Sequence, residues 1–139
     1  GITGIVLCGG RGTRMGGVDK GLKELRGRPM VVWVLERFAP QVDEVLINAN
    51  QNVDVYKQLG HRVIPDVIGG FAGPLAGLHR GLREAAHELV ATVPCDSPFL
   101  PADLIARLRA ALEQSRVAAS VRLPRPHHHR LDLLFAKRR

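Results

Sequence analysis

Apolar and polar residues follow one another along this chain in short blocks, and the period of the pattern changes from block to block. Residues 2–7 (ITGIVL) make a nearly unbroken apolar run with the length of a buried strand. Similar runs rich in β-branched residues lie at 44–49 (EVLINA), 62–65 (RVIP) and 89–93 (LVATV), and 117–121 offers a fifth. Between them, apolar residues recur at the spacing of amphipathic helices over 29–38, 53–59, 74–86 and 103–112. Pro29 and Pro101 stand at helix openings, where a missing N–H does no harm, and Gly60 stands where a glycine C-cap belongs. Leu75, Leu78, Leu82 and Ala85 fall on one stripe, and Trp33 is placed on the apolar stripe of its own helix, hence in the core. Strand–helix alternation with apolar strands predicts a three-layer, Rossmann-like α/β fold. Its sheet is mostly parallel, with helices on both faces and right-handed crossovers.

Composition narrows the class. The 139 residues suit one domain, and 45% apolar with 24% charged residues is ordinary for a globular protein. No apolar run reaches the roughly 18 residues of a membrane span, so no membrane role is expected. Residues 1–7 carry neither a basic stretch nor a cleavage pattern, so no signal peptide is expected. Two cysteines, Cys8 and Cys95, suit a reducing, cytoplasmic setting. The net charge of +7 and sequence pI near 10.4 point toward nucleic acid until the charges are located. Residues 122–139 hold Arg122, Arg125, Arg130, Lys137, Arg138 and Arg139 against Asp132 alone. That reads as a basic, solvated tail on a near-neutral domain of residues 1–121. With aromatics at 4%, little is left for base stacking, and nucleic acid is not an expected partner.

Chemistry concentrates after the first strand, in Leu7-Cys8-Gly9-Gly10-Arg11-Gly12-Thr13-Arg14-Met15-Gly16-Gly17-Val18-Asp19-Lys20. In a parallel sheet, ligands sit beyond the carboxyl ends of strands, which is where this segment starts. Its glycines let backbone N–H groups approach phosphate oxygens, and Arg11, Arg14 and Lys20 add charged donors. It is neither a P-loop, lacking Gly-Lys-Ser/Thr, nor a dinucleotide fingerprint, because 21–27 reads as extended or turned. The plain alternative is a connecting turn, but cations interleaved with glycines favour phosphate binding.

Later residues at strand ends stay open between two readings. Asn48 offers donors and an acceptor for a base or ribose, or makes a turn. Asp66 suits the N1–H and exocyclic amine of guanine, or caps a turn. Gly73 to Gly77 opens a helix toward phosphate, or merely joins loop to helix. Asp96, in Pro94-Cys95-Asp96-Ser97-Pro98-Phe99, suits Mg²⁺ or an Asx-turn. Cys95 reads as a packed small residue. His61, His79 and His87 share no ligand spacing, and His127-His128-His129 suits no compact tetrahedral site.

The glycine-rich run resembles the signature of nucleotidyltransferases that activate sugars and pterin cofactors. Its Met-Gly-Gly-Val-Asp-Lys ending is similar to that of the molybdenum cofactor guanylyltransferases, with Cys8 where alanine is common. Gly73-Pro74-Leu75-Ala76-Gly77 and Cys95-Asp96-Ser97-Pro98-Phe99 also resemble that family more than its cytidylyltransferase or sugar-nucleotide relatives. The likeness covers residues 2–121 and implies the nucleotide-diphospho-sugar transferase type of fold. It further implies GMP transfer from GTP to the phosphate of molybdopterin, release of pyrophosphate, and Mg²⁺ as cofactor. By the same resemblance Leu7, Cys8, Gly9, Gly10, Lys20, Asn48, Asp66 and Asp96 bind the nucleotide. Asp96 holds the metal, and Lys20 and Arg14 join it in catalysis. GTP and molybdopterin become the partners, with molybdoenzyme chaperones or other cofactor-biosynthesis proteins beside them. Members of that family run on through an acceptor-binding half with an Asn-x-Asn-Thr-Pro segment, whereas this chain stops at Arg139, so that part is expected to be lacking. The rival expectations are a sugar-1-phosphate or molybdopterin cytidylyl-type transferase, and a GTP-binding fragment without turnover.

Overall fold

The computed structural model describes residues 1–8, 19–65, 80–115, 118–122 and 131–136, with residue 115 and the last two segments described by backbone alone. The chain begins with β1 (Ile2–Leu7), then a 3₁₀ turn (Lys20–Leu22) and a small hairpin of β2 (Glu24–Leu25) and β3 (Arg28–Pro29). Next come α1 (Met30–Phe38), β4 (Glu44–Asn48), α2 (Val53–Lys57) and β5 (Arg62–Ile64). Residues 80–84 are helical. β6 (Leu89–Pro94), α3 (Leu104–Ser115), β7 (Ala118–Arg122) and β8 (Leu131–Ala136) follow.

The main sheet runs β5-β4-β1-β6-β8-β7. β1 lies between β4 and β6, β5 pairs β4, and all of these pairings are parallel. β8 enters antiparallel between β6 and β7. The fifth strand expected at 117–121 therefore exists as β7, but it joins the sheet through β8 and not beside a parallel neighbour. Charge sets an expected boundary at residue 121, yet the sheet runs on past it. The apolar LDLLFA sequence of β8 supplies the strand, whatever the charge around it.

Side-chain alternation builds two cores. Ile2, Val6 and Cys8 of the first strand region face one side with Ile47, Ala91, Val93 and Cys95. α1 and α3 cover that side through Val31, Val34, Leu35, Phe38, Leu104, Ile105 and Leu108. On the other side Ile5, Leu46, Ile64 and Val90 pack with Ala85 and Leu82 at the end of the 80–84 helix. Helices thus cover both faces, as the sequence pattern requires. A nine-residue helix carrying Val31, Val32 and Val34 would not hold alone in water. Burying Val31, Val34, Leu35 and Phe38 contributes roughly 6–12 kcal/mol, so packing and not propensity holds α1.

Trp33 departs from expectation. At about 100° per residue it lies some 200° around the helix from Val31, away from the buried stripe. It is half-buried against the hairpin, its indole N–H donating to Leu25 O at 2.9 Å and Arg28 stacked 4.4 Å from its ring. Gly60 does close the α2 region in the left-handed conformation (φ 87°) that its C-cap position requires. No helix among the described residues is long and apolar enough to cross a membrane.

Candidate functional site

The ends of the parallel strands are level. Leu7 is in register with Asn48 on one side and Pro94 on the other. The ladder then continues one residue beyond each strand: Cys8 N donates to Asn48 O (2.8 Å), Ala49 N to Ile64 O (3.1 Å), and Cys95 N to Leu7 O (3.2 Å). Leu7, Cys8, Asn48 and Asp96 are thereby brought to one carboxyl edge of the sheet. Asn48 is buried, and its amide Nδ2 donates to Ile64 O at 3.3 Å, which ties β4 to β5. Asp96 is partly buried in the turn after β6, next to buried Ser97. The far end of its loop is held from α1 and the turn after it, where Arg37 Nη1 donates to Leu100 O (3.3 Å) and Gln41 Nε2 to Pro101 O (3.0 Å). Gln41 Oε1 also accepts from Ile105 N (2.9 Å), so the loop bearing Asp96 is fixed where it enters α3.

A second cluster sits where the chain returns after residue 18. Asp19 is only 7% exposed. Its Oδ1 accepts from Tyr56 Oη (2.6 Å) and Gly21 N (3.2 Å), and its Oδ2 accepts from Asn52 Nδ2 (3.1 Å). Asn52 has a left-handed backbone (φ 53°), which asparagine tolerates better than most residues. Gly21 packs so closely that a Cβ there would lie 2.6 Å from Tyr56 Oη and 3.1 Å from Cys95 Sγ. Burial, the Cys8 thiol and the Asp19 carboxylate together push the Tyr56 phenol far above its ordinary range, so it stays a proton donor. Burial, followed by the neighbouring Cys95 thiol, likewise pushes Cys8 well up and keeps it a neutral thiol. Lys20, partly buried, opens the 3₁₀ turn between Asp19 and Gly21.

Gly9, Gly10, Arg14, Asp66 and residues 73–77 lie outside the described residues. Among the described residues no three His, Cys, Asp or Glu side chains form a group able to hold a metal. A cation at this edge would take the Asp96 carboxylate plus phosphate oxygens, and that all-oxygen donor set fits Mg²⁺.

The family profile described as "MobA-like NTP transferase domain" matches residues 4–139. The chain belongs to the MobA-like NTP transferases. A molybdenum cofactor guanylyltransferase of Burkholderia ambifaria (strain MC40-6) is 51% identical over 97% of this chain and 69% of its own length. The same name belongs to a Yersinia pseudotuberculosis protein 52% identical over 84% of this chain and 60% of its own. The chain thus spans 60–69% of the length of these relatives. Among solved structures, molybdopterin-guanine dinucleotide biosynthesis protein A from Archaeoglobus fulgidus superposes with a TM-score of 0.68 at 23% identity, covering 97% of this chain and 67% of that one. The 4-diphosphocytidyl-2C-methyl-D-erythritol synthase of Anaerococcus prevotii gives 0.67 at 18% identity, over 98% and 71%. Those two likenesses speak for the fold. This MobA-like NTP transferase is accordingly a nucleotidyltransferase of the molybdenum cofactor guanylyltransferase family.

In this MobA-like transferase, sequence reasoning passed over the cluster of Asp19, Asn52 and Tyr56. The local part of the signal was available, since an aspartate two residues before a backbone N–H is a standard turn cap. The partners from α2 and its N-cap, 33 and 37 positions away, had no local signal.

Proposed function

We propose that the chain transfers GMP from GTP to the terminal phosphate of molybdopterin, forming molybdopterin guanine dinucleotide and releasing pyrophosphate. The observation that carries this reading is the shared carboxyl edge of β1, β4 and β6. There the start of a glycine-rich loop (Leu7, Cys8), a buried amide (Asn48) and a carboxylate (Asp96) meet in a chain 51% identical to a named guanylyltransferase.

In this reading the backbone of Leu7, Cys8, Gly9 and Gly10 lines the triphosphate with N–H donors. Asn48 and Asp66 read the nucleoside, the carboxylate of Asp66 accepting from guanine N1–H and its exocyclic amine. A molybdopterin phosphate oxygen attacks the α-phosphorus, a P–O bond forms there, and the bond to the bridging oxygen of the β-phosphate breaks. Pyrophosphate leaves with the electron pair of that bond, and Lys20 and Arg14 offset its charge. Asp96 would hold Mg²⁺, which when bound neutralises phosphate charge and polarises phosphoryl oxygens. Positioning and charge neutralisation suffice, with no covalent enzyme intermediate. The buried Cys8 and Cys95 are free thiols, which supports placement in a reducing cytoplasm.

The test is nucleotidyl transfer and GTP affinity, with Mg²⁺ present, in Asp96→Ala and Lys20→Ala. Both variants are expected to lose transfer by about a hundredfold or more, the scale of one lost oxyanion-type contact. Unchanged transfer in both sinks the assignment. GTP binding by the parent chain without any transfer favours the non-catalytic module instead.

A further inference from the structure

We propose that Asp19 is the positioning residue for Lys20: with Tyr56 and Asn52 it clamps the backbone on which the lysine is carried, and no ion pair among the described residues holds the ammonium away from phosphate. This rests on the reading of Lys20 as a nucleotide-binding residue.

A carboxylate directly beside a lysine ordinarily competes for its charge. Here both Asp19 oxygens are taken by neutral donors, Tyr56 Oη at 2.6 Å, Asn52 Nδ2 at 3.1 Å and Gly21 N at 3.2 Å. Among the described residues, Lys20 forms no ion pair with any carboxylate. The acid keeps its charge beside the lysine, but its oxygens are committed to the clamp and make no ion pair with the ammonium.

The clamp also fixes where the lysine starts. Asp19 precedes Lys20 and is held from α2 and its N-cap; Gly21 follows it and lies too close to Tyr56 and Cys95 to admit even a methyl group. Lys20 is the one residue between a hydrogen-bonded Asp19 and a closely packed Gly21, so the reach of its ammonium is set by its own four-carbon stem. Cys95 belongs to the turn that carries Asp96. The same packing therefore relates Lys20 to the carboxylate across the edge. A turn cap alone would need no such arrangement, because a serine or asparagine caps as well without a buried charge.

Double-variant cycles test this against a purely structural role. GTP dissociation constants with Mg²⁺ are measured by calorimetry for the parent, Asp19→Ala, Tyr56→Phe and Lys20→Ala, and for the first two changes combined with Lys20→Ala. Unfolding midpoints are measured on the same samples. Lys20→Ala is expected to weaken GTP about tenfold or more, from loss of a charged contact. Asp19→Ala is expected to weaken it about tenfold, and Tyr56→Phe about threefold, when Lys20 is present. Neither is expected to weaken it further once Lys20 is gone, while both lower the unfolding midpoint equally in either background. Should Asp19→Ala fail to fold, the Tyr56→Phe cycle decides alone. Equal affinity losses with and without Lys20, or no loss in either variant, overturn the positioning role and leave the reading of Lys20 intact. No effect of Lys20→Ala by itself overturns that reading, and the positioning role with it.

Discussion

Replacing Gly21 by alanine places a single methyl group in the tightest part of the candidate site. Only Gly27 and Gly60 among the described glycines have positive φ, so the backbone at Gly21 admits alanine and the cost comes from neighbours. The new Cβ would meet Tyr56 Oη at 2.6 Å, Cys95 Sγ at 3.1 Å and Cys95 Cβ at 3.2 Å. Tyr56 is fully buried and hydrogen-bonded to Asp19, and buried Cys95, in the turn directly after β6, is tied to β1 by its N–H donating to Leu7 O, so neither yields freely. If the backbone shifts, the cost is that of overpacking, about 1–3 kcal/mol. If Tyr56 moves instead, a buried hydroxyl loses its partner, at about 1–3 kcal/mol. From the middle of that range, about 2 kcal/mol, the smaller unfolded-state entropy of alanine takes off about 0.4–1 kcal/mol, which leaves a net loss of roughly 1–1.6 kcal/mol. Urea unfolding followed by the fluorescence of Trp33, the sole tryptophan, reads this directly. At a slope of about 2 kcal/mol per molar, the midpoint should fall by roughly 0.5–1 M with the slope unchanged. Adding Tyr56→Phe removes the closest clashing atom and should recover part of the loss. A variant that unfolds at the parental midpoint refutes the packing argument.

Two other outcomes follow from the same geometry. Burial pushes the Glu44 carboxyl up, but Ala86 N–H at 3.0 Å, the Thr3 hydroxyl at 2.7 Å and the charge of His87 outweigh it and hold Glu44 below its ordinary 4.5. Because the folded value is the lower one, ionised Glu44 contributes stability above pH 4.5 that fades as pH falls through the folded value. Glu44→Gln should therefore unfold at lower temperature than the parent near neutrality, with the gap closing in acid; a gap constant with pH speaks against it. For the thiols, burial of Cys8 and Cys95 together with the raised Cys8 value predicts slow alkylation of the native protein and fast alkylation in urea. Rapid labelling of both cysteines without denaturant contradicts the buried cluster.

How much of this was legible in the sequence depends on the range of the signal. β1, β4, β5, β6 and the helical patterns at 29–38, 53–59 and 103–112 left local period, and their places were readable within a few residues. The β2–β3 hairpin is too short to leave a period, so 21–27 read only as extended or turned. Apolar periodicity put Trp33 inside because a large aromatic among valines weighs heavily, although its angular position lies opposite Val31. Around β8 a charge count masked a strand whose own six residues are largely apolar. The strand-end places of Leu7, Cys8, Asn48 and Asp96 were readable because each ends or follows an apolar run. The Asp19 cluster was not, since its partners meet only after β1, α2 and β6 have been brought side by side.

The central claim is that the carboxyl edge of β1, β4 and β6 holds a guanine nucleotide. Calorimetric titration of the chain with GTP, CTP and UTP, each with Mg²⁺, tests it most directly. GTP should bind in a one-to-one ratio and at least about tenfold tighter than either pyrimidine nucleotide, the discrimination expected from paired contacts to guanine N1–H and its amine. Equal affinity for all three, or preference for CTP or UTP, contradicts the account.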